Sequence, residues 1–141
     1  MLELGNEHVV TPTNPPHDFP LERTVPGPRP HASTPMVSMP AKACDAHCHV
    51  FGPADRFPFS PARTYTPPDS GIDQFLELQQ TLGLERAVFV QASCHGTDNA
   101  AMVDAIERGE GRFAGVAMLD HTATDREIDK LQAPGGTAAG S

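Results

Sequence analysis

The chain is short of the residues that would suit several common roles. It has no tryptophan, one tyrosine and three cysteines, and its 10 Lys and Arg stand against 18 Asp and Glu. A formal net charge of −8 lacks the positive footprint that holds a phosphate backbone, so nucleic acid is not expected as a partner. Three cysteines cannot all pair with one another, and reduced thiols in the cytoplasm are the expected state. No apolar run is long enough for a helical membrane span, so no membrane partner is expected. The first ten residues, Met1 to Val10, carry acids and lack the apolar stretch of a secretory signal.

Proline is abundant but uneven. Nine of the 15 fall within residues 1–40. Proline fixes φ and removes a backbone donor, so this segment is expected to be a disordered or polyproline-like arm. Its histidines (His8, His17 and His31) are read as solvated side chains. A clean P-x-x-P series with flanking basic residues is missing, which weakens a reading of the chain as a non-catalytic binding fragment.

From residue 41 the pattern alternates. A short strand is expected over Lys42–Val50, followed by a Pro-rich loop over 51–69. A helix then starts near Ser70, with Ile72, Phe75, Leu76 and Leu82 on its apolar face and Gly83 as its stop. Ala87–Gln91 is a continuous apolar run of the kind found in strands covered on both faces. Asp98 can cap a second helix that ends near Gly109. Phe113–Leu119 reads as a third buried strand, and Thr124 with Glu127 forms a capping box for a third helix.

The order βαβαβα implies an α/β fold with parallel strands joined by right-handed crossovers. Three such units do not close a barrel, since a complete (β/α)8 barrel takes roughly 250 residues. Residues 132–141 carry the Pro134, Gly135 and Gly136 breakers and no apolar period, and are expected to be a disordered or out-of-frame tail. The chain therefore reads as three domains of unequal kind: arm 1–40, barrel portion 41–131 and tail 132–141.

The chemistry concentrates at the ends of the first two strands. In a regular strand Asp45, His47 and His49 share one face, and Cys44, Cys48 and Val50 share the other. Imidazoles at i and i+2 lie roughly 6–7 Å apart at Cα, close enough to act on one metal ion or one oxyanion. The cysteines, on the opposite face or distant in sequence, are not expected to complete a zinc site. The segment Gln91-Ala-Ser-Cys-His-Gly-Thr97 places Ser93 and His95 where a ligand can reach them. A Cys94–His95 nucleophile pair is disfavoured, because neighbours in an extended loop point apart. The 51–69 loop contributes Tyr65, a candidate hydrogen-bond donor to a substrate oxygen, along with Arg56 and Arg63. His121 is read as a non-site residue.

Together, Cys44-Asp-Ala-His-Cys-His-Val-Phe-Gly-Pro53, Arg63-Thr-Tyr-Thr-Pro67 and Gln91-Ala-Ser-Cys-His-Gly96 resemble the amidohydrolase superfamily. Within it they are similar to the lactonases that hydrolyse 2-pyrone-4,6-dicarboxylate in aromatic-compound degradation. The resemblance implies a partial (β/α)8 TIM-type barrel of about three βα units, and a lactone hydrolase that works without a bound metal. It implies that His47 and His49 polarise the lactone carbonyl and that Tyr65 and Ser93 contact a dicarboxylate substrate. The general base and the carboxylate-binding arginines would belong to a later part of such a barrel, so this chain alone is expected to be inactive. The alternative within the superfamily is a metal-dependent hydrolase or decarboxylase in which His47 and His49 bind Zn or Mn.

Overall fold

The computed structural model describes residues 23–132. Three strands form one parallel sheet in the order β1 (Cys44–Cys48), β2 (Arg86–Val90) and β3 (Phe113–Val116). Helix α1 (Ile72–Leu82) joins β1 to β2, and a single turn of 3₁₀ helix (Ser93–His95) precedes α2 (Ala100–Glu107) on the way to β3. Helix α3 (Asp125–Gln132) follows. The α/β alternation expected from the hydrophobic pattern is therefore present. Among the described residues, no helix is long and apolar enough to cross a membrane.

The two faces of the sheet differ. On one, Ala87 and Phe89 of β2 lie in register with Phe113 and Gly115 of β3, beneath the helices. Phe75 from α1, Phe89 and Phe113 meet edge to face with centroids 4.9, 5.3 and 5.9 Å apart, and Phe89 has no exposed surface. Such aromatic pairs contribute about 0.5–1.5 kcal/mol each beyond area burial. Gly115 lies directly beneath Ile106 and Met102 of α2, so a side chain there would force the tips of those two side chains to shift. On the other face, Val88 and Val90 register with Ala114 and Val116, and Val116 is exposed.

Several expectations need correction. The third strand ends at Val116 rather than Leu119, and only Phe113 in it is buried. Beyond Val116 the backbone of Met118 is held by the side chain of Asn99 instead of by a neighbouring strand. Helix α1 has Gly71 rather than Ser70 at its N-cap, with no side-chain cap. Ser70 is occupied elsewhere: its backbone pairs with Phe51 through bonds of 2.8 and 2.9 Å. The expected C-terminal stop holds, with Gly83 in the left-handed conformation at φ 71°. The capping box of α3 also forms, with Thr124 and Glu127 bonding reciprocally.

Part of the N-terminal arm is paired with the loop before α1. Thr24 bridges Thr66, the Val25 N–H donates to the Thr66 carbonyl, and the Thr66 N–H donates to the Arg23 carbonyl. An extended, proline-flanked segment retains enough donors to pair as a short edge, so disorder does not extend through all of 1–40. Residues 1–22 of that arm lie outside the described residues, as does the tail apart from Gln132, which closes α3.

Candidate functional site

The histidine pair is set by an irregularity that the sequence does not reveal. Asp45 registers with Ala87 and Cys48 with Phe89, so three steps along β1 match two along β2. This is a β-bulge, and it changes which residues share a face. Asp45 and Cys48 both stand in register with buried positions, which corrects the expectation that Asp45 joins the histidines while Cys44 joins Cys48. The Asp45 carboxylate instead turns back on the bulge and accepts the His47 backbone N–H at 3.1 Å. Cys48 is half-buried and Val50 is buried in the core, which leaves His47 and His49 exposed on the opposite side.

The two imidazoles come together as the i, i+2 spacing predicts, with centroids 5.1 Å apart and planes nearly perpendicular at 82°. His49 Nδ1 lies 2.8 Å from the Val90 carbonyl. A carbonyl can only accept, so Nδ1 carries the proton and Nε2 is the ring nitrogen left for other work. The same arrangement is common behind metal-bound histidines. Among the described residues, however, no third His, Cys, Asp or Glu joins a metal-sized cluster. Two imidazoles alone do not complete a tetrahedral donor set.

Tyr65 and Ser93 are also brought together. The Ser93 hydroxyl donates to the Tyr65 hydroxyl at 3.5 Å. They come from separate loops that are fastened to each other. The Ser60 N–H donates to the Cys94 carbonyl at 2.7 Å, and Arg63 donates to the Ser60 carbonyl and the Thr66 hydroxyl on either side of Tyr65. Burial raises the Tyr65 phenol above its ordinary value, and the Ser93 hydroxyl opposes that rise. Cys94 is fully buried, and burial raises its thiol as well.

His95 takes a different role from the ligand access expected of it. It is 3% exposed. Its Nδ1 donates to the Pro58 carbonyl at 3.2 Å, its Nε2 accepts the Gly52 N–H at 3.4 Å, and Phe59 lies against the ring. It therefore clasps the loop between β1 and α1. Gly52 in that loop has φ 69°, and a Cβ there would collide with the Asp69 carboxylate and the Ala54 backbone. Arg56 leaves the site altogether and pairs with Asp104 of α2 at 2.6 Å.

Two positioning residues were not singled out by sequence reasoning. Gln91, buried, donates to the carbonyls of Gly96 and Asp98 and so shapes the turn that holds Ser93. Asn99, also buried, joins Thr97 to both backbone groups of Met118. The available signal was a lone amide side chain directly after an apolar run, and another directly before a helix.

A family model described as amidohydrolase matches residues 44–137. The chain is 48% identical over 103 residues to a 2-pyrone-4,6-dicarboxylate hydrolase of Comamonas testosteroni, covering 73% of this chain and 34% of that protein. It is 38% identical over 109 residues to a 4-sulfomuconolactone hydrolase of Hydrogenophaga intermedia, covering 77% of this chain and 36% of that one. A crystal structure of a probable 2-pyrone-4,6-dicarboxylic acid hydrolase from Acinetobacter baumannii with citric acid bound superposes with a TM-score of 0.61 at 30% identity. That match covers 67% of this chain and 35% of the other. The chain thus spans about a third of the length of the relatives it matches. The parallel α/β sheet, the histidine pair at the end of its first strand and the match over 44–137 lead to one assignment: this chain belongs to the amidohydrolase family.

Proposed function

We propose that this chain supplies the electrophilic half of a lactone hydrolase acting on small lactones such as 2-pyrone-4,6-dicarboxylate. The observation that carries the reading is the edge-to-face contact of His47 and His49 at 5.1 Å, with Nδ1 of His49 tied to a backbone carbonyl. In the reaction, water gives up a proton and adds to the lactone carbonyl, negative charge develops on that oxygen, and the ring C–O bond then breaks to give a carboxylic acid and a ring-derived hydroxyl, whose oxygen takes up the proton. A His47 N–H aimed at the carbonyl oxygen would stabilise that charge as it forms, and His49, whose Nδ1 proton is held by Val90, would donate from Nε2 only as the imidazolium. Tyr65 and Ser93 hold a carboxylate or other oxygen of the substrate. The sheet is read as the opening of a (β/α)8 barrel, whose site gathers at the C-terminal ends of its strands. A carboxylate base that activates the water is not identified among the described residues of this chain, so the chain by itself is expected not to turn over.

Binding of 2-pyrone-4,6-dicarboxylate to the purified chain, followed through the histidine side-chain resonances in NMR, tests the reading. The His47 and His49 signals are expected to shift, and His47→Asn with His49→Asn to weaken binding. An unchanged spectrum at millimolar ligand would overturn the assignment. Hydrolysis by the chain alone at a rate typical of enzymes would overturn the expectation of inactivity. A chelator-sensitive increase in binding on adding Zn²⁺ would favour the metal-dependent alternative.

A further inference from the structure

We propose that Arg63 is a specificity residue whose guanidinium selects anionic lactones over neutral ones at the Tyr65–Ser93 edge of the site. The inference rests on the lactone-binding reading above and names a charge that this reading lacked. Arg63 is half-buried, and both of its hydrogen-bond partners are neutral: the Thr66 hydroxyl at 2.8 Å and the Ser60 carbonyl at 3.1 Å. Among the described residues, no carboxylate lies within ion-pair distance of it. Arg56 and Arg108, by contrast, each pair with an aspartate.

Partly desolvating a cation without a counter-charge is costly, and a site that bears this cost gains it back when an anion arrives. Position matters as much as charge. Arg86 and Arg112 also bond neutral oxygens, but they sit at the opposite ends of the strands, at the start of β2 and just before β3. Arg63 lies two residues from Tyr65, and its partner Ser60 is bonded to Cys94, the neighbour of Ser93. The groups around it do not supply the missing negative charge, since burial holds both the Cys94 thiol and the Tyr65 phenol in their neutral forms. The guanidinium is pre-set by its two bonds, so little side-chain freedom remains to be lost on binding.

The test compares 2-pyrone-4,6-dicarboxylate with uncharged 2-pyrone on the whole 141-residue chain, by NMR titration of wild type, Arg63→Gln and Arg63→Lys. Arg63→Gln is expected to weaken the dianion roughly ten- to hundredfold while changing the neutral pyrone by less than about threefold, as loss of a charge-assisted contact predicts. Arg63→Lys is expected to recover part of that loss. A merely structural role for Arg63 in its loop would weaken both ligands alike, and that outcome overturns the proposal. Equal dianion binding by wild type and Arg63→Gln overturns it too, while leaving the lactone-binding reading intact. Binding of neither pyrone by the wild-type chain overturns both.

Discussion

Replacing His95 with alanine tests whether this buried imidazole is what holds the site loops together. The substitution deletes a bond to the Pro58 carbonyl, worth about 1 kcal/mol net. It also strands the N–H of buried Gly52, and an unsatisfied buried donor costs about 1–3 kcal/mol. Together these give a loss of at least roughly 2–4 kcal/mol, to which the space left beside Phe59 adds a cavity contribution. Urea unfolding followed by far-ultraviolet circular dichroism reads this number. A second signal locates the change. Tyr65 is the only tyrosine and there is no tryptophan, so phenolate absorbance reports this one residue. Burial is the main reason its phenol titrates high, and a released loop brings the titration down toward the ordinary tyrosine value. Ser93→Ala must act in the opposite direction, because the serine hydroxyl is what opposes the rise. A His95→Ala chain that loses less than about 0.5 kcal/mol and keeps its high Tyr65 titration would refute the clasp.

Phe89→Ala removes the residue at the centre of the aromatic trio and is expected to cost about 3–5 kcal/mol in the same urea assay. A loss below about 1 kcal/mol would show that the three rings do not form the core. Burial, followed by the charges of Asp45 and Cys44, pushes the Cys48 thiol up to about 12. A raised acid favours the fold while it stays protonated, so its contribution is complete below the ordinary thiol range and is lost as pH climbs toward about 12. Urea midpoints measured across that alkaline range should fall more steeply for wild type than for Cys48→Ala. Parallel curves would remove Cys48 from the account.

Much of the fold was legible because hydrophobic periodicity reports burial directly. The run Ala87–Gln91, whose strand spans Arg86–Val90, the stop at Gly83 and the Thr124–Glu127 box all work through local chemistry and appear within a residue of where the sequence places them. The third strand was overread because Val116, Met118 and Leu119 are apolar yet exposed, and an apolar residue does not by itself say what covers it. The site was half legible. His47 and His49 meet as the i, i+2 spacing predicts, whereas the contact of Tyr65 with Ser93 joins two loops that no spacing in the sequence links. His95 was misread because a histidine in a polar loop looks the same in sequence whether its ring faces solvent or two backbone groups. The bulge was invisible because the count of residues in β1 carries no record of the count opposing it.

That bulge makes the strand mechanically two pieces. Downstream of it, Cys48 in register with Phe89, and Val50 sunk in the core, act as the ruler from which the direction of the imidazoles is measured. Upstream of it, Cys44 pairs with Arg86, and the Ala43 and Lys42 carbonyls accept from Glu85 and Arg86, so that piece is fixed to the start of β2. Among the described residues, the arm also meets the site's other side, through Thr24 and Thr66 beside Tyr65. One side of the site is therefore indexed to the core, and the other is open to tuning from the terminus.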